Sequence, residues 1–501
     1  MNHSSSGDCA AQPRDSYLMP NVAAALEVLG YLAVLAAGIL CFLNRWLASP
    51  GAAVLTVLLL LSLIVLSWRR FDGGRHPCFF FLCALTVFQA GRLLAYCAEY
   101  CAGDSSDIFQ INLMTSTPFD VPPQVEGTVL LALALSAICI YAPCRWRYDQ
   151  LTLTHSAPHA RFLPYLYLLF CGSLPIQLFK NYRYYEYAQS HGGYLVFFTD
   201  HGGMAASIPL PVRAISLLSL PALAGIFVLE DRKKRLATAA VAYFAMTAPV
   251  LLTGSRGAIF SLILSLWYVS KVKSKRPARL SSLGLLVVGL GLTGSWIGAL
   301  RGDTRPAGEG SAPAQFLAQQ GSSLNVTEIA VAYRSHFSPH IFSYLKSELQ
   351  SAFVTSDQTH YVAGSRFADD VAMFLSPAAY QSGLGSGSAY LAEAFVFGEL
   401  WGVVLVSTAL GVGLHQMHVH SRNPSGLFLV AMIFPDVLWM TRGGLLDWAS
   451  SCLRIGVSVI LLALGWWLYR SAATVWHALV FTGNAGKQNP EALPGEALCS
   501  R

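Results

Sequence analysis

Long apolar runs broken by short polar connections make up most of this chain. A helix that crosses a membrane needs about 20 predominantly apolar residues. Runs near that length occur at Val22–Leu43, Ala52–Ser67, Pro77–Cys97, Gly127–Cys144, Phe162–Phe179, Ala214–Leu229, Leu236–Leu252, Ala258–Ser270, Leu283–Leu300, Ala389–His415, Ser425–Met440 and Trp448–Tyr469. Read as spans, they predict an all-α polytopic membrane protein of about 12 transmembrane helices. The eighth run is short, and Pro435-Asp436 interrupts the eleventh. One connection stands apart, the long, polar, aromatic-bearing segment from Arg301 to Ser388. The pattern divides the chain into a membrane bundle over 1–300, a loop or lid over 301–388, further membrane helices over 389–470 and a tail over 471–501.

The long loop carries periodicity of its own. Ser338-Pro339 reads as an N-cap with proline in the first helical position. Ile341, Leu345, Leu349 and Phe353 follow at four-residue spacing, which predicts an amphipathic helix on the membrane surface. Asn325 with Glu328 resembles a capping box for another short helix. A loop of this length without structure would be unusual, so a folded, partly helical lid is expected. It ends in Ser382-Gly383-Leu384-Gly385-Ser386-Gly387-Ser388 and leads into a helix with Glu393 near its start.

Composition sharpens this picture. The chain is 54% hydrophobic and 12% charged, which excludes an ordinary soluble enzyme. Its polar N-terminus leads into a full-length apolar run with Glu27 in it, the pattern of a first span rather than a cleaved signal. The net charge of +6 needs no nucleic-acid partner, because the basic residues cluster in particular connections. Arg69-Arg70, Arg145 and Arg147, Arg232 to Arg235, and Lys271 to Arg279 place both termini in the cytoplasm. Arg301–Ser388, Lys180–Arg213 and Thr253–Gly257 then share the outer face. The eleven cysteines are scattered without metal-type spacing, and Cys97 with Cys101 reads as unpaired membrane cysteine before a local disulfide or zinc pair.

Candidate chemistry gathers on that face. Arg92 lies inside the third span, where burial of a lone arginine costs at least about 2.5 kcal/mol. Arg256, Arg301 and Arg442 lie at outer span ends, and Arg334 lies in the loop. Guanidinium forks match phosphate oxygens in bidentate fashion. Blander readings stand beside these: a helix C-cap for Arg442, an interfacial anchor for Arg256, an outward snorkel for Arg92. Glu393 is either a favourable dipole placement or a partly desolvated general base. Gly385 and Ser386, ahead of it, expose backbone N–H groups suited to anions. His336 is a second candidate base, and Pro339 argues against zinc held by His336 with His340. Asp369-Asp370 reads as a solvated pair before a cation site. Tyr182, Tyr185 and Tyr194 offer rings to stack on sugars or to form an interfacial aromatic belt.

Thr253-Gly254-Ser255-Arg256-Gly257, together with Gly383 through Glu393, Phe397-Gly398 and Gly402-Val403-Val404, resembles the Wzy-type O-antigen polysaccharide polymerases. Gly91-Arg92 and Gly192-Gly193-Tyr194 fit the same pattern. Glu399-Leu400-Trp401 is bulkier than that pattern. The resemblance implies a C-type, metal-independent glycosyltransferase of the bacterial inner membrane that uses no cofactor. Its donor would be a glycan on undecaprenyl diphosphate and its acceptor a single lipid-linked repeat unit. A flippase and a chain-length regulator are further partners it suggests. An O-antigen ligase and a transporter remain as alternatives. A transporter predicts midplane charge pairs and inverted repeats, and no repeat is visible.

Overall fold

The computed structural model describes residues 50–101 (72 excepted), 122–146, 161–191, 207–253, 257–274, 312–350, 362–381 and 385–485, with isolated positions between 193 and 293. Among them every regular element is helical: α1 (Pro50–Arg70), α2 (Pro77–Phe88), α3 (Gly91–Cys101), α4 (Pro123–Trp146), α5 (Leu163–Ser190), α6 (Leu210–Ser216), α7 (Ser219–Leu229), α8 (Lys233–Leu252) and α9 (Gly257–Ser274). The long loop contributes α10 (Ala312–Gln320), α11 (Ser323–Ala332), α12 (Arg334–Phe337), α13 (Ile341–Gln350), α14 (Phe367–Leu375) and α15 (Pro377–Gln381). The chain then forms α16 (Tyr390–His420), α17 (Pro424–Trp439) and α18 (Asp447–Ala485).

Among the described residues, six stretches are long and apolar enough to cross a membrane: Gly51–Arg70, Gln124–Arg145, Leu210–Leu229, Lys233–Leu252, Tyr390–His420 and Asp447–Ala472. The protein is therefore polytopic. The expected spans at 22–43 and, for the most part, 283–300 lie outside the described residues. The third run is not one straight helix, because α2 and α3 meet at 63°. Gln89 caps α2 at that break, and its buried side chain leaves the helix to donate from Nε2 to the Thr441 carbonyl at 2.6 Å. Helix starts follow local chemistry. The His76 ring accepts the Cys78 N–H ahead of Pro77, and Asn423 accepts the Gly426 N–H ahead of Pro424.

Apolar side chains cover the outside of the bundle as well as filling it. Leu55, Leu58, Leu61 and Val65 on α1 and Val457, Ile460, Leu464 and Trp467 on α18 face outward, whereas all of α7 from Ala222 to Val228 is buried. The axis of the bundle is the α4–α16 pair. Small residues allow their close approach: a Cβ on Gly411 would lie 2.5 Å from the Ile140 carbonyl oxygen. Ser136 hydrogen-bonds the Tyr390 hydroxyl at 2.6 Å and receives the Ser407 hydroxyl at 2.9 Å.

The lid is a folded unit with its own core. Val326, Ile329, Phe337, Tyr344, Phe367 and Val371 pack against Ala389, Ala392 and Val396 at the start of α16. Burying one such aromatic contributes about 1.5–3 kcal/mol, so three of them seat the lid firmly. Several expectations change here. Asn325 and Glu328 do not cap a helix; both are buried within α11, which is clamped against α4 and α16. Ser338 sits in a 3-10 turn without capping α13 through its side chain. Among the described side chains of α13 the buried one is Tyr344, while Phe342 is exposed; Leu349 and Phe353 lie outside the described side chains. Asp370 is no solvated acid, since it accepts the Tyr344 hydroxyl at 2.6 Å and the Gly364 N–H at 3.0 Å. The expected loop at 180–213 begins as helix, because α5 runs on to Ser190.

Candidate active site

The candidate site lies where the α2–α3 break, the start of α16, the 440–445 turn and the α10–α11 junction meet. Close backbone approach brings the lid to α3. A Cβ on Gly91 would lie 2.5 Å from the Leu317 carbonyl oxygen, and one on Gly321 would run into the Arg92 amide nitrogen. Two arginines then reach the same junction. Arg92 donates from an NH1 hydrogen to the Asn325 side-chain oxygen, and Arg442 donates to the Gln320 side-chain oxygen at 3.1 Å. The Arg442 guanidinium also lies over the Phe88 and Trp439 rings, 5.9 and 6.0 Å from their centres. Gln89 closes the set: its amide reaches the Thr441 carbonyl, while Thr327 donates to its oxygen at 3.4 Å.

Glu393 stands on the first turns of α16 and is buried. Its carboxylate ties two chain segments together, accepting the Ser388 hydroxyl at 2.5 Å and the Leu445 N–H at 2.9 Å. The Tyr390 N–H pairs with the Met440 carbonyl at 3.2 Å, which zips the same segments. Gly387 has φ 74°, a conformation that favours glycine. Gly444 leaves room for the carboxylates of Glu393 and Asp447, since a Cβ there would meet them at 3.0 and 3.1 Å. The Ser388 hydroxyl makes the shorter of the two bonds that hold the buried Glu393 carboxylate.

Glu328 is the residue that sequence reasoning misplaced. It is fully buried, and neither carboxylate oxygen has a hydrogen-bond partner among the described residues. Burial pushes its carboxyl up to about 8, with Arg92 pulling it down and Glu126 adding to the rise. At neutral pH it holds a proton beside Arg92. A Glu with Ile329-Ala330-Val331 behind it was the available signal, and the three-residue spacing from Asn325 masked it.

The structure thus brings Arg92, Arg442 and Glu393 to one end of the bundle. Ser386 donates to the Ala368 and Gly387 carbonyls, at 3.2 and 3.1 Å, and Ser388 is the serine on Glu393. Gly385 is exposed in the extended stretch ahead of α16. Arg334 pairs with Glu399 at 2.9 Å, at the kink where Gly398 and Glu399 leave helical geometry and Glu399 takes φ 54°. That kink is where the sequence departs from the family pattern. His336 is exposed, packs on Phe337 and Phe374 and shares no bond with Glu393. Tyr182 and Tyr185 lie on α5, which packs on α8 through the Asn181 amide and the Met246 carbonyl at 2.8 Å. Arg256, Arg301 and Tyr194 lie outside the described residues.

A polytopic helical bundle with a folded segment packed over two arginines and a buried carboxylate at one end defines a membrane protein with a polar site at the end of its bundle. The family model described as O-antigen polysaccharide polymerase Wzy matches residues 28–470, and the chain belongs to that family. It is an integral membrane protein that polymerises lipid-linked oligosaccharide repeat units by a glycosyltransferase-type activity. No curated protein and no solved structure matches the chain.

Proposed function

We propose that this end of the bundle faces the periplasm of the bacterial inner membrane, with both termini cytoplasmic, and transfers the growing glycan from undecaprenyl diphosphate to a new lipid-linked repeat unit. The observation that carries the reading is that Arg92 and Arg442 are held by side-chain amides five residues apart on the lid, next to a buried carboxylate. Phosphate oxygens accept hydrogen bonds from guanidinium more strongly than amide oxygens do, because the pair is charge-assisted. A diphosphate entering under the lid would therefore replace Asn325 and Gln320 as the acceptors for Arg92 and Arg442. Arg256 and Arg301 complete the cationic set in this reading.

The chemistry then needs two things. Negative charge growing on the departing diphosphate is stabilised by guanidinium groups in a site of low dielectric. The acceptor hydroxyl gives its proton to Glu393, directly or through Ser388, while its oxygen bonds to the anomeric carbon and the bond to the diphosphate breaks. The test is a strain whose only copy carries Arg442→Ala. The expected result is lipopolysaccharide bearing single repeats, accumulated lipid-linked single units and normal protein in the membrane. A wild-type ladder of chain lengths refutes the assignment.

A further inference from the structure

At the other end of α16 from Glu393, soft metal ligands converge from separate parts of the chain. Glu393 and His418 lie 25 residues apart, so the two ends are separated by up to about 37 Å at the rise of a straight helix. His76 and Cys78 come from the start of α2, Cys144 from the end of α4, and His415 and His418 from the last turns of α16. One ring nitrogen of His76 and the Sγ atoms of Cys78 and Cys144 all lie within 4.8 Å of one another, and all three residues are buried. The His418 ring centre is 4.4 Å from that of His76, and the His415 ring centre is 6.2 Å away.

We propose that His76, Cys78 and Cys144 bind a zinc ion, with His418 as the fourth donor. Two thiolates and two imidazoles make the tetrahedral set that zinc favours in structural sites. All four donors come from the protein and the site is buried, so no position is left for a substrate; the ion staples α2, α4 and α16. Each thiol gives up its proton on binding, so two protons leave as zinc enters, and affinity falls as pH falls. The bond from the Cys78 N–H to His76 Nδ1, 3.1 Å long, is the feature that zinc changes. Zinc at Nδ1 replaces that bond, and zinc at Nε2 leaves the ring proton on Nδ1, facing the Cys78 N–H. In both cases loaded and metal-free protein differ at the start of α2. The linear spacing hides the site because Cys144 is far from the His76–Cys78 pair in sequence.

The test is the metal content of the full-length protein, purified in detergent without chelator and incubated with zinc. The expected result is one zinc per chain, thermal stability that drops by several degrees on chelation, and thiolate-to-metal absorption after cobalt(II) exchange. Cys78→Ser and Cys144→Ser should each bind less than a tenth as much. Cys139→Ser, a change on the same helix outside the cluster, should bind like wild type. Wild-type protein that holds no zinc above background, or that carries a Cys78–Cys144 disulfide, overturns the proposal. So does equal loss of zinc in Cys139→Ser. None of these outcomes depends on the glycosyl transfer reading.

Discussion

Gly91→Ala is the sharpest test of how the lid is seated. Alanine at a helical position is favoured over glycine by about 1 kcal/mol, so α3 taken alone would gain. The added methyl carbon, however, would sit 2.5 Å from the Leu317 carbonyl oxygen, 3.0 Å from the Gly321 nitrogen and 3.2 Å from the Gly321 Cα. All three are backbone atoms, so no rotamer change relieves the clash, and overpacking of this kind costs about 1–3 kcal/mol. Ordinary contact needs α10 to withdraw by about 1 Å. The Gln320–Arg442 hydrogen bond, now 3.1 Å, would stretch beyond bonding range. The expected result is a protein that inserts normally, shows faster protease cleavage within 301–388 and builds only short chains. Gels of the lipopolysaccharide and limited proteolysis of membranes read both effects. Wild-type chain lengths and cleavage rates would show that the contact between α3 and the lid does not position the arginines.

Three further outcomes follow from individual side chains. Glu328→Gln should change the pH dependence of stability. With its carboxyl pushed up to about 8, folded protein keeps a proton that the unfolded chain loses above about 4.5, so wild-type stability falls as pH rises through this window and levels off above 8. The variant lacks that loss, so its melting temperature should gain on wild type between pH 5 and 9; parallel curves would contradict the burial argument. Glu393→Gln should cut chain extension at least about 100-fold, within the range of a lost general base, and Ser388→Ala should cost less because the carboxylate keeps its Leu445 N–H bond. Equal losses in purified protein would make Ser388 an obligatory relay. Arg334→Ala should lower stability by no more than about 1 kcal/mol and leave chain length unchanged, since the Glu399 half of its ion pair is exposed and Arg334 itself is only half-buried. Denaturant melts and lipopolysaccharide gels check both halves of that expectation.

Apolar periodicity made the membrane class legible, because lipid-facing and core-facing positions are both apolar and length alone marks a span. It was silent on the break between α2 and α3, where Gln89 trades helix continuity for the Thr441 carbonyl, a partner distant in sequence. Arg92 stood out as a charge inside an apolar run, Arg442 and Glu393 as charges at the ends of others, and the structure gathers them. Ser388 over Ser386 was not legible, since residues two apart in an extended stretch point the same way and only the turn at Gly387, with φ 74°, separates them. Glu328 was misread because a cap and a buried acid share the same local spacing, and only the packing of α11 between α4 and α16 separates them.

Chain extension by purified protein in proteoliposomes, with a diphosphate-linked repeat unit as the sole substrate, tests the central claim most directly. Wild-type protein should extend the unit, and Arg92→Ala and Arg442→Ala should each fall at least about 100-fold, the scale of a lost transition-state charge partner. Extension by Arg442→Ala at the wild-type rate would contradict the claim that this cluster holds the leaving diphosphate.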